Sequence, residues 1–177
     1  MPVITIFGGA HSKEGEPDYE NARALGKVLA ESGYMICNGG YGGTMEASAR
    51  GAKEGGGKTI GVTTEYFTGC ANRWIDQEIR EKKWNGRLFK LIELGDAYIF
   101  FDGGTGTLVE LFTVWEMSNK KLLERPLIIF GNQLQDLVSH IRQFPQVIDN
   151  PNLVFAGSPQ EVAQILKIKS HADTQRF

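Results

Sequence analysis

The chain has 177 residues, 41% hydrophobic and 23% charged, which suits one globular domain with a full core of its own. A formal net charge of -2 supplies no cationic excess with which to neutralise a run of phosphates, so a dedicated nucleic-acid or membrane-surface binder is disfavoured. Cys37 and Cys70 lack C-x-x-C spacing and His11, His140 and His171 are scattered, which argues against a disulfide scaffold and a zinc site.

In chain order, Val3 to Phe7 is a β-rich apolar run that stops at Gly8-Gly9 and reads as a buried strand. The start has no basic region, and its apolar run is too short for a signal peptide or a membrane span; a cytoplasmic protein is expected. Tyr19, Ala22, Leu25, Val28 and Leu29 recur at helical spacing between Asp18 and Ser32, with Pro17 at the entry and Gly33 placed for an exit cap. A strand follows from Tyr34 to Cys37, then a glycine loop from Asn38 to Gly43, a helix from Thr44 to Glu54 and a strand from Thr59 to Val62. From Thr63 to Gly86 there is no clean period, and Tyr66, Phe67, Trp74 and Trp84 stand among charges, consistent with a lid, a helix or both. Beyond it come a helix from Arg87 to Leu94, a strand from Ala97 to Phe101, a loop from Asp102 to Gly106 and a helix from Thr107 to Ser118. Leu127 to Phe130 and Leu153 to Phe155 complete the strands, and Leu134 to Gln143 and Pro159 to Lys169 the helices, leaving a flexible tail over 170–177.

Strands alternating with helices of this length predict a doubly wound α/β domain over residues 1–169, with a parallel sheet and helices on both faces. In such a sheet ligands bind beyond the carboxyl ends of the strands. Three glycine loops are expected there, carrying Gly8 and Gly9, then Gly39, Gly40 and Gly43, then Gly103, Gly104 and Gly106.

Gly103-Gly104-Thr105-Gly106-Thr107-Leu108-Val109-Glu110 follows a strand and opens a helix, where glycines admit close approach and free helix N–H groups attract an anion. The spacing is neither the dinucleotide fingerprint nor a Walker loop. Glu110 lies off the apolar stripe of Leu108, Leu111, Phe112 and Trp115 and near the loop, but Thr107-x-x-Glu110 also has the form of a capping box. Arg87 sits beside the stripe of Leu88, Leu91 and Ile92, where it either reaches a cleft or remains a solvated helix-terminal cation. His11 reads as a loop hydrogen-bonder and Glu46 as a complement to its helix dipole.

These motifs resemble the LONELY GUY family, also described as lysine decarboxylase-like. The resemblance runs from about Val3 to Phe130 and rests on the first strand and loop, on Gly39-Gly40-x-x-Gly43-x-Met45 and on Gly103-Gly104-x-Gly106-Thr107-x-x-Glu110. It implies a Rossmann-like fold, a homodimer or larger homo-oligomer, and cleavage of nucleoside 5'-monophosphates, purine monophosphates favoured, to free base and ribose 5-phosphate. It also implies catalytic roles for Arg87 and Glu110, with Gly103, Gly104, Thr105, Gly106 and Thr107 at the phosphate and no metal or organic cofactor. A pyridoxal-dependent decarboxylase is not expected, since nothing marks a Schiff-base lysine. The chain departs from the family at Asp102, where a proline usually stands, at Asn85 and Leu88 beside the arginine, and at Thr105 within the loop. Gly42-Gly43-Thr44-Met45-Glu46-Ala47 is also similar to molybdenum-cofactor carriers, which bind a phosphorylated pterin and catalyse nothing. That likeness gives the alternative expectation, a nucleotide or cofactor binder.

Overall fold

The computed structural model describes residues 1–174, with side chains for 1–167. Seven strands, β1 (Val3–Phe7), β2 (Met35–Asn38), β3 (Thr59–Thr64), β4 (Gln77–Glu81), β5 (Ala97–Phe100), β6 (Leu127–Ile129) and β7 (Leu153–Phe155), form one sheet in the order β4-β3-β2-β1-β5-β6-β7. Every pairing is parallel. The helices are α1 (Pro17–Glu31), α2 (Thr44–Glu54), α3 (Trp84–Leu94), α4 (Thr105–Asn119), α5 (Asn132–Ile141) and α6 (Pro159–Thr174). Of the tail expected over 170–177, residues 175–177 lie outside the described residues.

Alternation along the strands divides the core in two. Ile4, Ile6, Ile36, Ile99 and Ile128 pack with Leu25 and Leu29 of α1 and Val162 of α6, whereas Phe7, Cys37, Tyr98, Phe100 and Ile129 pack with Leu91 of α3 and Leu111 and Val114 of α4. Burial on both faces explains why the central strands read as unbroken apolar runs. The helices α1 and α2 meet backbone to backbone, because a Cβ at Gly26 would collide with the Ser48 carbonyl and one at Gly51 with that of Arg23. This contact fixes the relative placement of the loops that precede the two helices.

The chain winds outward from β1 through β2, then returns to place β5 on the other side of β1. Strand order reverses between β1 and β5, so the crevice for a ligand opens at their carboxyl ends, where Gly8-Gly9 and Gly103-Gly104 lie.

Strand β4 lies within the stretch without a clean period. Its sequence, Gln77-Glu78-Ile79-Arg80-Glu81, is largely exposed, as suits a sheet edge blunted by charge, and offers no apolar run to detect. The connection from β3 to β4 is clipped down by Asn72, whose side chain donates to the carbonyls of Gly40 at 3.1 Å and Tyr41 at 2.8 Å. Among the described residues no helix is long and apolar enough to cross a membrane.

Asp102 closes the turn after β5. Its carboxylate accepts from the backbone N–H of Leu134 at 2.9 Å and of Gln133 at 3.2 Å, capping α5 from a distant loop. The residue preceding α5, Gly131, has no side chain to cap with, and a Cβ there would collide with Asp102. Asp102→Ala is therefore expected to cost about 1 kcal/mol, the usual loss for an N-terminal cap, read as a lower denaturation midpoint in urea with an unchanged slope.

Candidate active site

A cleft of about 450 Å³ opens at the crevice. Its floor comes from Gly8 and Gly9 of the first loop and from Gly104 to Thr107 at the start of α4, and its walls carry Arg87, Glu110, Tyr41, Met45, Phe67, Trp84 and Leu88. A larger depression at the amino ends of the central strands, about 740 Å³ around Tyr34 and Arg125, has its cation already engaged by the backbone carbonyls of Ile92, Glu93 and Gly95. Among the described residues no cluster of three His, Cys, Asp or Glu side chains could hold a metal ion.

The helix α4 begins two residues earlier than its apolar pattern suggests, with Gly104 at the N-cap and no side-chain cap. Its first internal hydrogen bond runs from the Leu108 N–H to the Gly104 carbonyl, leaving the N–H groups of Thr105, Gly106 and Thr107 outside the helical ladder. The positions where a Cβ would stand on Gly104 and Gly106 face open space. Three amides with partial positive charge thus line one end of the cleft, a ready anion site.

The early start also dissolves the capping-box alternative. Thr107 is the third residue of the helix and Glu110 the sixth, one turn too deep to satisfy an N-cap amide. Glu110 instead projects into the cleft with its side chain 15% exposed. Burial pushes its carboxyl up to about 7, against the opposing pull of Arg87.

Arg87, in the first turn of α3, is 8% exposed, so the solvated alternative does not hold. Its Nε donates to the Val62 carbonyl at 2.8 Å and its Nη2 to that of Gly39 at 3.4 Å. Nη1 lies 3.9 Å from Glu110 Oε1, an ion pair beyond direct hydrogen-bond reach. Burial lowers the pKa of the guanidinium, with Glu110 acting in the other direction. A side chain at Gly39 would collide with Nη2, which explains the glycine at that place.

The remaining glycines singled out in the sequence stand behind the walls. Gly43 takes φ +64° at the start of α2, with its Cβ direction closed by Gly9 and Ala10, and Gly40 takes φ +78°. Gly103 packs against Thr107 and Gly9. His11 lines the cleft from the first loop. Of the aromatic lining, Phe67 and Trp84 belong to the stretch whose sequence is consistent with a lid, a helix or both, whereas sequence reasoning missed Tyr41; its one signal was a tyrosine set alone among four glycines in the second loop.

The chain is similar to several known proteins. The chain is 30% identical over 144 residues to a cytokinin riboside 5'-monophosphate phosphoribohydrolase of Rhodococcoides fascians, covering 78% of this chain and 73% of the relative. It is 34% identical over 117 residues to an uncharacterized protein of Archaeoglobus fulgidus, 66% of this chain and 77% of that one. The solved structure of the molybdenum cofactor binding protein from Rippkaea orientalis superposes with a TM-score of 0.76 at 26% identity, covering 94% of this chain and 95% of the other. The SLOG cluster4 family model matches residues 1–161, and with the LONELY GUY-like motifs in place around one crevice, the chain belongs to the SLOG cluster4 family.

Proposed function

We propose that the protein hydrolyses the N-glycosidic bond of nucleoside 5'-monophosphates, purine monophosphates favoured, to free base and ribose 5-phosphate. The observation that carries this reading is Glu110, a buried carboxyl poised near neutrality beside a buried arginine and one helical turn from three free amides. The amides of Thr105, Gly106 and Thr107 hold the 5'-phosphate, and the base lies among Tyr41, Met45, Phe67 and Trp84. As the C1'–N bond breaks, the ribose becomes oxocarbenium-like and the ionised Glu110 stabilises the charge. The same carboxylate accepts a proton from the attacking water as the C1'–O bond forms, and passes it to the departing base. A group titrating near pH 7 suits both transfers. Arg87 pulls Glu110 toward its charged form against the effect of burial and orients the substrate.

A non-catalytic carrier of a phosphorylated pterin is the second reading, favoured by the likeness to the Rippkaea orientalis protein. A carrier needs the amides but has no use for a carboxyl that titrates near neutrality beside the ligand. The test is base release from a panel of nucleoside monophosphates and their nucleosides. Monophosphates should turn over and bind about 10-fold or more tightly than nucleosides, since charge-assisted contacts contribute roughly 1.5 to 3 kcal/mol. Equal binding of adenosine and its monophosphate removes the phosphate role of α4, and an inactive wild type across the panel leaves the carrier.

We propose a homodimer or larger homo-oligomer, in which Phe89 of α3 and Val109 and Phe112 of α4, exposed on the helices of one sheet face, would be covered by a second copy. A monomeric mass in solution at micromolar concentration counts against it.

A further inference from the structure

The edge of β3 reveals how Arg87 is held. The Lys58 carbonyl accepts from the Ile36 N–H, so the backbone groups of even-numbered residues along β3 face β2. Pairing with β2 ends at Asn38, opposite Gly61. Beyond that point the Val62 carbonyl and the β2-facing N–H and carbonyl of Thr64, both residues buried at the end of the strand, have no strand to pair with. Two side chains take the place of the missing strand. Arg87 Nε donates to the Val62 carbonyl at 2.8 Å, and Tyr41 Oη accepts from the Thr64 N–H at 3.0 Å while its proton points to the Thr64 carbonyl at 3.4 Å.

The tyrosine ring is also fixed from other sides. It meets Phe67 edge to face at 5.6 Å between centroids, and its own carbonyl accepts from Asn72. The Arg87 guanidinium carbon lies 5.5 Å from the centre of the Tyr41 ring and 6.0 Å from that of Phe67. Cation and tyrosine are thus anchored on neighbouring groups of one strand edge and in contact with each other.

We propose that Tyr41 is a positioning residue, its hydroxyl bridging the end of β3 and its ring confining the Arg87 guanidinium beside Glu110. The charged and titratable groups acting on the guanidinium are Glu110 from α4, Tyr41 from the second loop and Cys37 from β2, with His11 across the cleft. Of these, Glu110 reports where the cation stands. If the guanidinium drifts outward, the carboxyl loses the charge that holds its titration down, and its midpoint moves further up.

The experiment follows the Glu110 carboxyl by carbon NMR titration in the ligand-free protein, for the wild type, Tyr41→Phe, Tyr41→Leu and, as a reference for loss of the cation, Arg87→Gln. Tyr41→Leu should move the midpoint upward toward that of Arg87→Gln, and Tyr41→Phe, which keeps the ring, should move it by less. This arm needs no turnover, so it decides the role of Tyr41 even where the wild type releases no base. The hydrolytic reading, on which the kinetic arm rests, adds that kcat/KM should fall about 10- to 100-fold in Tyr41→Leu, mainly through kcat, as expected when a contact shifts by about 1 Å. A purely structural tyrosine would lower the melting temperature alone. An unmoved Glu110 midpoint in a folded Tyr41→Leu protein, or in Tyr41→Phe should the leucine variant not fold, overturns the proposal.

Discussion

Glu110→Gln is expected to lower base release by about 100-fold or more, because on the proposed mechanism it keeps the size of the side chain while removing the charge that would face the developing oxocarbenium and the proton acceptor for water. Substrate binding should weaken far less. Stability supplies a second readout with a definite sign. The folded-state value of Glu110 is about 7, above the ordinary 4.5, so between those values the folded protein holds a proton that the unfolded chain releases. Stability from this group is therefore present below about pH 4.5, is lost as pH rises to about 7, and changes no further above it. The glutamine variant has no such loss, so its melting temperature relative to wild type should rise across that window and then level off. Near-wild-type turnover in Glu110→Gln ends the catalytic role, and a melting difference that does not change with pH ends the buried-carboxyl account.

Arg87→Ala should damage affinity and rate together. On the proposed mechanism it removes the cation that orients the substrate and that lies 3.9 Å from the Glu110 carboxylate, a loss of roughly 1.5 to 3 kcal/mol or about 10- to 150-fold in kcat/KM. It also leaves the carbonyls of Val62 and Gly39 without that donor, so a fall in melting temperature should accompany it. Gly39→Ala separates the two effects. The arginine remains but its Nη2 is displaced by the new methyl, so turnover should fall while the cation and most of the fold persist. Wild-type kcat/KM in Gly39→Ala would mean that the location of the guanidinium is immaterial.

The sheet and its loops were legible because central strands buried on both faces announce themselves as apolar runs ending in glycine. Strand β4 was not, since an edge strand has one paired side and its charges serve to keep other chains away. The starts of α3 and α4 were set late by two or three residues for a related reason: neither has a side-chain cap, and the residues before the apolar stripe, Trp84-Asn85-Gly86 and Thr105-Gly106, carry no helical pattern of their own. That small error kept the capping box alive. Arg87 and Glu110 could be named as site residues through the family resemblance of their motifs, but their burial is a tertiary property, created when Gly39 lets one approach and the β3 edge receives it. Tyr41, Phe67 and Trp84 come from three separate segments, and no local pattern joins them.

The cap that Asp102 places on α5 has a consequence for the third glycine loop. A proline at this point stiffens the chain through its own ring, a covalent constraint present whether or not anything else is folded. Here the stiffness is on loan: two N–H groups of α5 hold the carboxylate, and they point the right way only while the first turn of that helix is wound. α5 itself lines none of the cleft. Local fraying at its start, a low-energy event in most helices, would still slacken the third loop, and with it Gly104 to Gly106 in the cleft floor. The loop is a joint tightened from behind, and α5 turns the screw.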